Sequence, residues 1–235
     1  MIAALSVYRS KDIAKEGLSV ASRLMHIAIS CQLERLLDIQ DVNRFRVGHI
    51  LPDSIIHGKE SHADAHFKKS TADGRRMMDF ADFFKRYQHK VLTDDLYLGY
   101  YFHLIQDAIY RQFMYQKWDI TYTKDVRLEM YRDYGIVNRY LIDKYHIQND
   151  VYLPEHFAKE EINQIYPFTL AEFLQELKND FQSNEDGELK YLKKERVDQY
   201  IFESVQTCRR AYDGILGREK LLDPVAYAWD VKREL

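Results

Sequence analysis

The sequence predicts an all-α protein, a single-domain multi-helix bundle over residues 1–235. Four prolines and nine glycines leave few places for a helix to break. Apolar residues recur at spacings of three and four through most of the chain, the period of a helix with one buried face. A content of 46% hydrophobic and 14% aromatic residues is enough for one sizeable core.

The first helix is expected over about 12 to 38, with ASRLMHIAISCQLERLL as its amphipathic half. From about 39 to 74, turn residues and weak periodicity predict a long ordered loop with a short helical turn or two. Helices are then expected at about 75 to 90, 93 to 117 and 123 to 146. Thr93, followed by Asp94 and Asp95, supplies a hydroxyl cap and early carboxylates for the middle one. Further helices are expected at about 169 to 182, 188 to 216 and 223 to 232, with SNEDGE as a break and a candidate hinge.

Charge and composition exclude several classes of function. A net charge of -3, from 34 basic and 37 acidic residues, creates no global field for nucleic acid or anionic lipid. The two cysteines, Cys31 and Cys208, are too few and too far apart for a disulfide framework or a thiolate zinc site. The first residues lack the pattern of a secretory signal, and no run approaches the length of a membrane helix, so the expected location is cytoplasmic.

The most apolar predicted helix, LGYYFHLIQDAIYRQFM, carries His103 and Asp107 four residues apart on one face. That spacing suits two ligands of one ion. By itself it better describes a core histidine beside a carboxylate paired with Arg111, because an enclosed carboxylate must have a partner and structural ion pairs commonly mimic functional sites. Other residues shift the balance. His26 falls within the amphipathic part of the first helix, and His49, Asp53, His57, His62, Asp64 and His66 lie within 18 residues of the long loop. Neutral imidazole and carboxylate together suit zinc and similar divalent ions.

The order of these pieces resembles the zinc-dependent phospholipase C family, whose wider superfamily includes the single-strand-specific zinc nucleases. The matching residues are His26 in HIAISCQL, Asp53 in LPD, His66 in HF, and His103 with Asp107 in YLGYYFHLIQD. The resemblance implies a helical fold in which Asp53, His66, His103 and Asp107 hold one zinc. Asp107 would then bridge to a second ion held partly by His26. Where that family continues to another histidine and an HxxxE, this chain has Phe113, Asp133 and Asn138, and its HxxxE at His156 and Glu160 falls late. One or two ions, zinc or another divalent metal, are therefore expected rather than three. His62 is a further candidate, as alternative ligand or as support for His66, and Asp133 and Asn138 are candidates of the same kind.

The implied chemistry is metal-dependent hydrolysis of a phosphoester, as in a phospholipase C-like phosphodiesterase, with Asp53 both ligating and acting as general base. Arg75, Arg76 and Arg111 are candidate anion-binding residues. The expected substrate is a small phosphoester or a phospholipid headgroup; a nucleotide or soluble phosphoester hydrolase is the alternative within the same chemistry. A non-catalytic helical scaffold with a structural metal is the alternative outside it.

Overall fold

The computed structural model describes residues 21–55, 59–121, 123–183 and 185–230, without the side chains of 59–61. Among these residues the chain is all-α, with nine α-helices and one two-stranded hairpin. Helix α1 (Arg23–Leu33) begins where the Ser22 hydroxyl accepts from the Met25 N–H, and it is buried on nearly every side. The expected start of this helix, before residue 21, and the candidate ligand His57 lie outside the described residues.

The segment expected as a loop holds more regular structure than its periodicity suggests. Helix α2 (Val42–Ile50), capped by Asp41, runs into a short 3-10 turn at Leu51–Asp53. Helix α3 (Lys59–Ala65) and an antiparallel hairpin, β1 (Lys68–Ser70) with β2 (Arg76–Met78), follow. The hairpin occupies the place of the helix expected to begin near 75, and α4 (Phe80–Thr93) starts only after Asp79 caps it. Strands of three residues with mostly exposed side chains carry almost no period to read. Pairing of Arg76 with Trp229, from the far end of the described chain, holds the hairpin's outer edge.

Helix α5 (Asp95–Gln112) is the centre of the molecule, packed against α1, α2, α4 and α9 (Lys194–Ile215). Its cap is Asp94, whose carboxylate accepts from the Leu96 N–H. Thr93, expected in that role, instead closes α4 by donating to the His89 carbonyl. Asp95 accepts from the backbone N–H groups of Gln40 and Asp41 and so ties the start of α5 to the approach of α2. A π-helical turn at Phe113–Lys117 extends α5 before α6 (Lys124–Tyr145) begins at the Thr123 cap.

Two glycines let α2 and α5 meet backbone to backbone. A Cβ on Gly48 would run into the Leu96 carbonyl oxygen and lie 2.8 Å from the Tyr100 nitrogen. One on Gly99 would strike the Phe45 carbonyl oxygen and lie 3.0 Å from Gly48 Cα. A glycine inside a helix is ordinarily destabilising, and here close packing offsets that cost.

Beyond α6, a 3-10 turn at Phe157–Lys159 and the short α7 (Glu161–Ile165) precede α8 (Leu170–Asp180) and α9. The last expected helix is a single 3-10 turn at Pro224–Tyr227. Asp198 joins α9 to α6 by accepting from the hydroxyls of Tyr140 (2.5 Å) and Tyr145 (2.9 Å) and from the Lys144 ammonium (2.6 Å). Partial burial pushes this carboxyl upward, but the three donors outweigh it and hold it below the usual carboxylate range. A carboxylate with a depressed folded pKa stabilises the fold above its unfolded value, near 3.9, and loses that contribution as pH falls through the folded one. Asp198→Asn is therefore expected to cost about 1–2 kcal/mol at neutral pH. In thermal melts its deficit against wild type should shrink below about pH 4; a constant deficit would contradict the assignment.

Candidate metal centre

Helix α5 places His103 and Asp107 in the interior, both fully buried. Helix α1 brings His26 alongside, with its ring stacked on that of His103 at 4.3 Å between centroids. The turn after α2 presents Asp53, and the end of α3 presents His66. The five residues predicted as ligands thus come from four separate elements and meet at one place. His26 Nε2 lies 3.6 Å from Asp107 Oδ1, while Asp107 Oδ2 lies 3.6 Å from His66 Nε2 and 4.0 Å from His103 Nε2. Asp53 Oδ1 is 3.1 Å from His66 Nε2 and 4.0 Å from His103 Nε2.

Hydrogen bonds at the other ring nitrogens decide what this cluster can do. His66 Nδ1 donates to the His62 carbonyl (2.9 Å) and His103 Nδ1 to the His49 carbonyl (2.8 Å). A carbonyl only accepts, so both protons sit on Nδ1 and both Nε2 atoms carry lone pairs. Those lone pairs face each other at 3.2 Å. His26 is arranged in the same way, with Nδ1 donating to Gln106 Oε1 at 2.6 Å. Its Nε2 and both Asp107 oxygens are buried with no hydrogen-bond partner. Acceptors converging on acceptors would repel one another unless a cation lies among them. Separations of 3.1–4.0 Å bracket the roughly 3.3 Å expected between ligand atoms about 2.0–2.1 Å from a shared tetrahedral ion. The donor set therefore fits a divalent metal.

Electrostatics agree with that fit. Burial is the largest influence on His103 and His66 and lowers them to about 4 and about 3, so both are neutral imidazoles at ordinary pH, the form a metal requires. Burial also lowers His26, but the charge of the facing Asp107 carboxylate, 3.6 Å away, works against it, and the ring is raised above its usual value. A proton and a cation thus compete for the same place. Burial would raise Asp107; the facing His26, His103 and His66 overcome it and hold the carboxyl well below its ordinary value.

Other predicted residues have different roles. His62 stacks on His66 at 4.1 Å and lies within reach of Asp53 and His66, but its Nδ1 is 3.2 Å from the Lys68 ammonium and accepts from it. This favours support of His66 over direct ligation. Burial lowers His49 to about 3, and its ring packs on Phe45 and Phe102 while its carbonyl orients His103. Asp133 is spent on the backbone N–H groups of Lys190, Tyr191 and Leu192. Asn138 is buried in α6, and its Oδ1 has no hydrogen-bond partner among the described residues. Glu160 pairs with Arg44 at 2.7 Å. Arg75 pairs with Asp73 at 2.9 Å, and Arg76 lies exposed on the hairpin, so neither joins the site.

Gln106 and Lys68 escape a reading of the sequence. Gln106 had a weak signal, a polar side chain inside an apolar helix next to Asp107. Lys68, in an exposed-looking KKS strand, had none. Gln106→Leu would leave the His26 ring without the acceptor that fixes it, and metal affinity is expected to fall about 10–100-fold. Competition titration against a chromogenic chelator measures this; unchanged affinity would place His26 outside the ligand set.

Comparisons with family models, curated proteins and solved structures found no match to this chain. No helix among the described residues is long and apolar enough to cross a membrane.

Proposed function

We propose that the chain is a metal-dependent phosphoester hydrolase whose ligands are His26, Asp53, His66, His103 and Asp107. One observation supports this above the rest. Three imidazole Nε2 atoms and two carboxylates point their acceptors at one another in a buried place. Maintaining such an arrangement is costly for a purely structural core. Asp107 directs one oxygen to His26 and the other to His66 and His103, which suits a carboxylate bridging two ions. Zinc is the metal best matched by a mixed imidazole and carboxylate set.

A divalent ion held here would supply Lewis acidity toward a phosphoryl oxygen and lower the pKa of a water it binds. The protein's own part is orientation and proton handling. The carbonyls of His49 and His62 and the Gln106 amide lock three rings in the ligating tautomer. Asp53 is the one member of the cluster with exposed side-chain surface, at 8%. With Oδ1 turned to His66, its Oδ2 takes the proton of an attacking water. The order of the ligands along the chain, as in the zinc-dependent phospholipase C family, supports phosphorus chemistry over other hydrolyses.

The test is elemental analysis of protein purified without added metal, followed by assays on phosphomonoesters, phosphodiesters and phosphocholine lipids. The expected result is stoichiometric zinc or another divalent metal, with chelator-sensitive hydrolysis of at least one class. Absence of metal in wild type, with no loss in His103→Ala, would reject the proposal. Metal without hydrolysis would leave a helical scaffold stabilised by an ion.

A further inference from the structure

We infer that Arg111 and Lys68 form an oxyanion site beside the metal centre, built for a terminal phosphate group. This rests on the hydrolase reading above and specifies its substrate class. Arg111 lies on α5 one turn beyond Asp107 and is 1% exposed. All three of its guanidinium nitrogens are buried without a hydrogen-bond partner. The ion pair with Asp107 that the spacing suggests does not form. A buried guanidinium with five unmet donors needs an acceptor, and its planar fork matches two oxygens of one phosphate.

Lys68 supplies further donors. Its ammonium approaches His62 Nδ1 at 3.2 Å and makes no ion pair among the described residues. Burial lowers Lys68 to about 7, and Arg111, Asp107 and Asp53 lie close enough for their charges to act on it. The guanidinium, the lysine nitrogen and the two carboxylates therefore occupy one neighbourhood. Once divalent metal is bound, Asp53 and Asp107 are occupied as its ligands and the Arg111 guanidinium remains without an anion among the described residues. A phosphomonoester offers three terminal oxygens to the guanidinium fork and the Lys68 nitrogen, whereas a phosphodiester offers two. Asp53, whose side chain keeps 8% of its surface exposed, sets its end of the cluster nearest the solvent.

The test titrates inorganic phosphate and dimethyl phosphate, by calorimetry in neutral buffer, into the full-length protein whose zinc content is read on the same sample. Inorganic phosphate is expected to bind roughly tenfold or more tightly than dimethyl phosphate. Arg111→Met should keep the wild-type zinc content and weaken inorganic phosphate at least about tenfold, with Arg111→Lys in between. Lys68→Met, on a hairpin strand that is only half-buried, is the second variant should Arg111→Met fail to fold, and it too should weaken phosphate. Equal affinity for the two anions, or unchanged phosphate affinity in Lys68→Met or in folded Arg111→Met, overturns this inference while leaving a zinc-bearing hydrolase standing. Phosphate binding by wild type that lacks zinc rejects the hydrolase reading instead.

Discussion

Asp107→Asn is expected to abolish the metal-dependent part of the protein's thermal stability. Asp107 alone faces all three imidazoles, with Oδ1 toward His26 and Oδ2 toward His66 and His103. Asparagine keeps the volume but replaces one anionic oxygen with an N–H donor, which turns toward the Nε2 lone pairs and takes the place of a cation. A ligand present at about 100 times its Kd stabilises the native state by about 2.7 kcal/mol. In a domain of this size that amounts to a rise of about 5–10 °C in Tm. The rise should appear when wild type is melted with zinc rather than with chelator, and the variant should show almost none. Equal shifts in the two proteins would remove Asp107 from the metal centre.

Gly99→Ala is expected to cost about 3 kcal/mol or more and to reduce metal content with it. The new methyl group would collide with the Phe45 carbonyl, a backbone atom that no rotamer change can move. Helices α2 and α5 must then separate. The site depends on their spacing, because the His49 carbonyl of α2 fixes His103 of α5 and Asp53 follows directly from α2. Gly48→Ala should act through the same contact, so the double variant should lose less than the sum of the singles. Denaturant midpoints and zinc content together check this. A loss below about 0.5 kcal/mol would be that of an ordinary surface change and would mean that the backbones do not touch.

Legibility from sequence followed the physics of each element. Helices α5, α6 and α8 were readable because long amphipathic or apolar runs with polar caps carry their own signal. Helix α2 was not, because VNRFRVGHI has a weak apolar stripe and an internal glycine, and its order comes from docking on α5. The hairpin was hidden for a related reason, its strands being short and largely exposed. Among site residues, His103 and Asp107 were visible as polar groups in an apolar helix, and His26, Asp53 and His66 through their order along the chain. Asp133 illustrates the opposite case: a buried carboxylate on a helix looks like a ligand in sequence, yet it binds three backbone N–H groups from a segment nearly 60 residues away.

The sequence by itself determined the all-α class and the identities of the residues that meet at the centre, because periodicity and residue chemistry are local properties. Tertiary structure alone decided what those residues can do. Which ring nitrogen carries a proton depends on carbonyls at His49 and His62 and on the Gln106 amide, and two of these three acceptors belong to elements other than that of the ring they hold. Whether Arg111 neutralises Asp107 or remains available for an anion depends on where a long side chain points inside the packed core. Spacing of four residues on a helix permits either outcome, and only the packing around α5 selects one.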